Sequence, residues 1–216
     1  MIFKKSQIVQ ISKITELKDN ISKDIPIIII KNFVTSKDCY DLVNNCTRFS
    51  KKYLHRKRYN NGMFYSLDIH PQNVKTDRIF RTFYLPKSVT KKFGFIDKIM
   101  NIQKKIITKL RKSNTVRLQV IHYPIGGGFF GLHKHKRFPT NYGIILNLSK
   151  KGKDFSFGST NFIYKNKIIK SDTYADQGDL ILFRYDLSHS VESVDKNNDL
   201  TFNNKGRWTL IFPVFG

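Results

Sequence analysis

The sequence predicts an α+β chain whose core is a double-sheet roll or barrel, and two observations predict it. Helical periodicity is confined to the first half, where apolar residues recur at three- and four-residue spacings. Beyond residue 115, short alternating segments follow one another with Gly, Asn, Asp and Lys between them. Early helices followed by many short strands describe an α+β roll better than βαβ units. The 216 residues fit one domain, with a helix-rich part over 1–114 and a β-rich part over 115–216.

Taken in order, residues 25–34 form an apolar run of strand length and predict the first core strand. Ser36 is the candidate N-cap of a helix carrying Cys39, Leu42, Val43, Cys46 and Phe49 on one face and ending near Lys52. Residues 53–62 mix basic and aromatic side chains before a turn and read as a solvated loop. Strands are expected over Met63–Ile69 and Ile79–Leu85, then a long amphipathic helix from Ser88 to about Lys112 that packs on a sheet. Val116–Tyr123 alternates like a half-buried strand. Further strands are expected over 141–148, 155–164, 168–173, 179–184, 189–194 and 207–214, with 195–205 as a loop between the last two.

Composition narrows the function classes. Hydrophobic residues make up 40% of the chain, with 18 Phe and 10 Tyr, which supports a packed interior. No apolar run reaches the roughly 18 residues of a membrane span, and no secretory signal is visible, so a cytoplasmic location is expected. Cys39 and Cys46 are about two helical turns apart, too far for a disulfide, and read as buried thiols of a reducing compartment. The net charge of +23 invites a polyanionic partner. Abundant Lys, Asn and Ile with almost no Ala is also what an AT-rich coding bias produces, so nucleic acid is disfavoured as a partner.

One stretch carries the chemistry. In Tyr123-Pro-Ile-Gly-Gly-Gly-Phe-Phe-Gly-Leu-His133-Lys-His135, two histidines one residue apart follow a glycine-rich turn. Alternate residues of an extended segment point the same way, so both imidazoles can reach one ion if a third ligand arrives from elsewhere. His189, placed after the apolar segment 178–183, is that candidate. Neutral imidazole binds first-row divalent metals, and three ligands leave coordination positions open. Asp186 and Glu192 flank His189 and read as solvent-facing carboxylates, with a supporting or ligating role in reserve. Arg207 and Thr209 follow on one face of a strand, where a guanidinium fork and a hydroxyl can grip a carboxylate. His122 faces away from Tyr123 and reads as a satisfied histidine outside the site.

With its order of His133, His135, His189, Arg207 and Thr209, the C-terminal half resembles the iron(II)/2-oxoglutarate-dependent dioxygenases. The resemblance implies a double-stranded β-helix, or jelly roll, with N-terminal helices buttressing one sheet. It implies His133 and His189 as metal ligands, and Arg207, Thr209 and Tyr123 as the grip on 2-oxoglutarate. Fe(II), 2-oxoglutarate and O2 are the implied cofactors, with succinate as coproduct and a small molecule, such as an amino acid, hydroxylated as substrate. His135 stands where the family carries Asp or Glu, which makes the implied metal site a three-histidine one. Two other readings stand beside it: a cupin-like three-histidine dioxygenase without cosubstrate, and a non-catalytic basic β-domain that binds nucleic acid.

Overall fold

The computed structural model describes residues 7–52, 57–58, 64–69, 77–85, 87–107, 115–116, 118–137 and 139–215. The expected loop 53–62, apart from Lys57 and Arg58, and the end of the long helix beyond 107 lie outside them. In chain order the elements are β1 (Ile8–Ile11), α1 (Leu17–Ser22), β2 (Ile27–Ile30), α2 (Ser36–Lys52), β3 (Lys57–Arg58), β4 (Phe64–Ile69) and β5 (Arg78–Tyr84). Next come α3 (Lys87–Thr90), α4 (Gly94–Ile106), β6 (Thr115–Val116), β7 (Gln119–Ile125), β8 (Gly128–His133), β9 (Tyr142–Asn147) and β10 (Thr160–Tyr164). The chain closes with β11 (Lys167–Lys170), β12 (Leu180–Arg184), β13 (Ser188–Val194), β14 (Thr201–Ile211) and β15 (Val214–Phe215).

Among the described residues thirteen strands form one sheet, whose main path runs β1-β2-β12-β9-β14-β7-β5-β8-β13-β10-β11. The sheet folds over on itself at β5, whose residues 81–84 pair with β7 while Arg78 and Ile79 pair with β8. Strand alternation then separates two interiors. Ile28, Ile30, Ile144, Leu146, Leu180, Leu182, Trp208 and Leu210 point outward from the larger layer to the helices, where they meet Cys39, Leu42 and Cys46 of α2 and Ile96, Ile99 and Ile102 of α4. The intervening residues Ile27, Ile29, Ile145, Ile181 and Phe183 point inward and meet Phe162, Ile169 and Leu187 of the opposite layer. This is the jelly roll with helices buttressing one sheet.

Local chemistry moved several boundaries. Helix α2 is capped by Thr35, not Ser36: the Thr35 hydroxyl accepts from the Asp38 amide at 3.1 Å and donates to its carboxylate at 2.8 Å. The expected helix from Ser88 is two helices, because Phe93 takes an extended conformation and α4 restarts at Gly94. The expected first strand shrinks to Ile27–Ile30, and β1 precedes it in parallel register. The expected loop 195–205 turns only as far as residue 198; Thr201 already pairs with Ile125, and a bulge carries the ladder on to Gly206 and Pro124. Both cysteines are free and buried, and burial raises each thiol pKa to about 12. No helix among the described residues is long and apolar enough to cross a membrane.

Candidate metal centre and cavity

The three histidines meet. His133 ends β8 and pairs directly with His189 near the start of β13, while His135 lies two residues beyond the end of β8. The turn that begins β8 is tight: Gly126 and Gly127 have φ of +85° and +113° and donate to the carbonyls of Asp195 and Val194. A Cβ on Gly126 would fall 2.4 Å from the Asp199 backbone, so a glycine is required at that position for the close approach. Ring centroids stand 4.1 Å apart for His133 and His189, 5.1 Å for His133 and His135, and 5.3 Å for His135 and His189. One ligand atom from each residue lies within 4.8 Å of the others.

Hydrogen bonding sets the tautomers. Nδ1 of His133 lies 2.8 Å from the Gly131 carbonyl and Nδ1 of His189 lies 2.9 Å from the Leu187 carbonyl. A carbonyl only accepts, so each Nδ1 carries the proton and each Nε2 keeps a free lone pair. His135 is exposed as a residue at the rim, yet its ring lies against Tyr185 with centroids 4.4 Å apart and its amide donates to the Tyr185 carbonyl. Burial lowers all three pKa values: His189 to about 3, His135 to about 4, and His133 in the same direction, with neighbouring imidazoles adding to the effect in His135 and His189. Three neutral imidazoles at neutral pH are a fit for a first-row divalent ion.

The reserve carboxylates are engaged elsewhere. Asp186 takes both oxygens to Arg184 at 3.1 and 2.8 Å, and Glu192 binds Asn161, the Ser159 amide and Lys170. Among the described residues the ligand cluster is all-histidine.

The triad opens onto a cavity of about 250 Å³, with Phe80, Phe130, Tyr185 and Phe183 on its apolar wall. Tyr123 and Thr209 also line it, and Thr160 adds a buried hydroxyl oxygen without a partner among the described residues. Arg207 shares the inward face of β14 but is not on the cavity wall. Its Nη1 donates to Asp172 at 2.8 Å and to the Gly158 carbonyl at 3.3 Å, and its Nη2 to Asn147 at 3.3 Å. Its Nε stays unpartnered among the described residues. Thr160 and Thr209 thus put hydroxyl groups on the cavity wall, and Arg207 keeps an unpaired donor buried behind it. Tyr123 pairs with Arg207 across the ladder, and burial raises its phenol against the opposing pull of that guanidinium. His122 is a satisfied histidine of the core, buried and stacked on Trp208 at 4.0 Å. Asp172 and Thr160 gave no sign in the sequence, because neither belongs to a spaced pattern.

No protein-family profile matches the chain. No curated protein matches it either. Solved structures do. A Pseudomonas putida prolyl-4-hydroxylase superposes with a TM-score of 0.58 at 12% identity, covering 92% of this chain and 97% of the other. A prolyl hydroxylase from Trichoplax adhaerens, in complex with a hypoxia inducible factor oxygen degradation domain peptide fragment, gives 0.59 at 14% identity, covering 94% and 93%. An oxidoreductase of the 2OG-Fe(II) oxygenase family from Burkholderia pseudomallei gives 0.50 at 9% identity, covering 97% and 95%. With three imidazoles at the strand ends and two β layers closing over them, the chain has the double-stranded β-helix fold of the 2OG-Fe(II) oxygenases.

Proposed function

We propose that the protein is an iron(II)- and 2-oxoglutarate-dependent dioxygenase that hydroxylates an amino-acid side chain or a molecule of similar size. The observation that carries this reading is the triad: three imidazoles, two with tautomers fixed for Nε2 ligation, at the mouth of a mostly apolar cavity. His133, His135 and His189 hold the ion. Arg207 Nε, Thr209, Thr160 and Tyr123 take the far carboxylate of 2-oxoglutarate. When bound, iron with 2-oxoglutarate and O2 supplies the oxidant, and 2-oxoglutarate leaves as succinate and carbon dioxide. The surrounding residues exclude water and orient the substrate: Phe80, Phe130 and Tyr185 form an apolar wall beside the ligands, suited to an aliphatic C–H group. Two of the structural neighbours are prolyl hydroxylases, one holding a peptide, so a side chain within a peptide joins the free amino acid as a candidate substrate.

One observation favours the cosubstrate-free, cupin-like reading: two of the guanidinium nitrogens of Arg207 are already engaged by Asp172, Gly158 and Asn147. Metal analysis of protein purified without chelator, followed by assay of succinate from 2-oxoglutarate, tests the proposal. Bound iron with succinate formation supports it. Iron-dependent O2 uptake without succinate selects the cupin-like alternative.

A further inference from the structure

Arg207 and Asp172 form an ion pair that water scarcely reaches, with side chains 2% and 5% exposed and Nη1 2.8 Å from Oδ1. Both ions lose hydration before they meet, so such a pair is weak as a device for stability. It is also single-pronged. Arg207 Nε and Asp172 Oδ2 are buried without partners among the described residues, where a pair built for strength would be bidentate. The guanidinium is thus held by one edge, with a donor in reserve.

The charges close in a simple way. The three imidazoles contribute none: Nδ1 of His133 and of His189 donates to a carbonyl, which leaves Nε2 for the ion, and an ion held by all three rings requires each of them to be neutral. Arg207 and Asp172 cancel. Arg78, which lines the cavity where Arg207 does not, is partly exposed and screened by solvent. The empty site is neutral, a divalent ion makes it doubly positive, and a dianion returns it to neutral. Lacking Asp172, the loaded site would enclose one uncompensated positive charge.

We propose that Asp172 is the charge-balancing residue of the site: it matches an all-histidine ion centre to a doubly charged anion, and so determines the charge of the cosubstrate that the cavity accepts. This rests on the 2-oxoglutarate reading. The consequences have definite signs. Asp172→Asn leaves the site more positive, so it weakens the ion and tightens the anion. His135→Asp puts a negative charge at the ion, so it tightens the ion and weakens the anion. The double variant regains the original balance.

The experiment is calorimetric titration of Mn(II) onto the metal-free protein, then of 2-oxoglutarate onto the Mn(II)-loaded protein, for the unaltered chain, both single variants and the double. Circular dichroism checks that each is folded. Single variants should shift the two affinities in opposite directions by on the order of tenfold, as for one unit charge in a partly screened site. The double variant should return to within about threefold of the original. A buttress for Arg207 alone would behave differently: Asp172→Asn would weaken 2-oxoglutarate, which overturns the proposal, as does a double variant worse than either single.

Should His135→Asp fail to hold Mn(II), the decision falls to the C5 amide of 2-oxoglutarate, a monoanion. Asp172→Asn must gain more affinity for the dianion than for the amide, and the unaltered protein must already prefer the dianion by about tenfold; equal affinities refute the proposal whether or not the variants fold. Absence of any 2-oxoglutarate binding by the unaltered Mn(II)-loaded protein overturns the cosubstrate reading itself. Binding that is indifferent to Asp172→Asn overturns only the charge balance.

Discussion

Arg81 donates from Nε to Nδ1 of His122 at 2.7 Å, which obliges the ring to donate from Nε2 to the Lys205 carbonyl, also at 2.7 Å. His122 is thereby held neutral, and burial first, then the Arg81 charge, places its pKa well below the ordinary histidine value. In the unfolded chain it takes up a proton near pH 6.5. The unfolded state therefore binds more protons as pH falls below that value, and stability declines from there downward. The site histidines add the same trend in the metal-free chain. The urea midpoint of metal-free protein should fall between pH 7 and pH 5, less steeply in His122→Asn. An identical slope in the variant would remove His122 from the account.

The ligand set predicts metal content. Alanine at His133, His135 or His189 should each abolish stoichiometric iron, measured by plasma emission on protein purified without chelator. His135 is the informative position, since it stands at the rim and its ring lies against Tyr185 instead of bonding a carbonyl. Full iron occupancy in His135→Ala would reduce the centre to two histidines and make halide binding the next measurement.

Arg207→Ala should weaken 2-oxoglutarate binding to the Mn(II)-loaded protein by about 2–5 kcal/mol while leaving metal content intact. It also strands Asp172 in the interior, so the thermal midpoint should drop. Unchanged cosubstrate affinity would sink the assignment of Arg207.

Gly206→Ala should destabilise the fold by about 2–4 kcal/mol. Its φ is +123°, and a Cβ there would lie 2.4 Å from the Tyr123 carbonyl oxygen and 2.7 Å from Nε2 of His122. Equilibrium denaturation checks this, and a loss under 0.5 kcal/mol, the scale of a neutral surface change, would show that the bulge yields.

For the +23 charge, the expectation is weak binding to random DNA that disappears at moderate salt, as counterion release dictates without base contacts. A fluorescence-anisotropy titration across salt concentrations decides it. Salt-resistant or sequence-selective binding would revive the nucleic-acid reading.

What was legible in the sequence was whatever repeats with a period. The inward and outward alternation in β9, β12 and β14 follows from two-residue strand geometry, and α2 ends near Lys52 as expected, though it begins one residue earlier, because its apolar stripe has the helical repeat. The triad was legible because two ligands share one short segment. Four-residue strands such as β1 carry too few residues to show a period, and the Thr201–Lys205 part of β14 looks like loop because polar residues flank a bulge there. Asp172 was silent for another reason: its partner is 35 residues away, and only the fold brings them together.

The position of β14 bears on how the chain is made. The strand formed last within the main sheet lies at its middle, between β9 and β7, and β2 pairs with β12 more than 140 residues later. During synthesis β9 and β7 must wait with bare edges until residue 211 has emerged, and no early segment can complete its layer alone. Most of the sheet consequently closes only after β14 has been made, and folding is slow for its size. Over that interval the growing chain is open to edge-to-edge association, so a holding chaperone, more than a faster ribosome, should govern its yield.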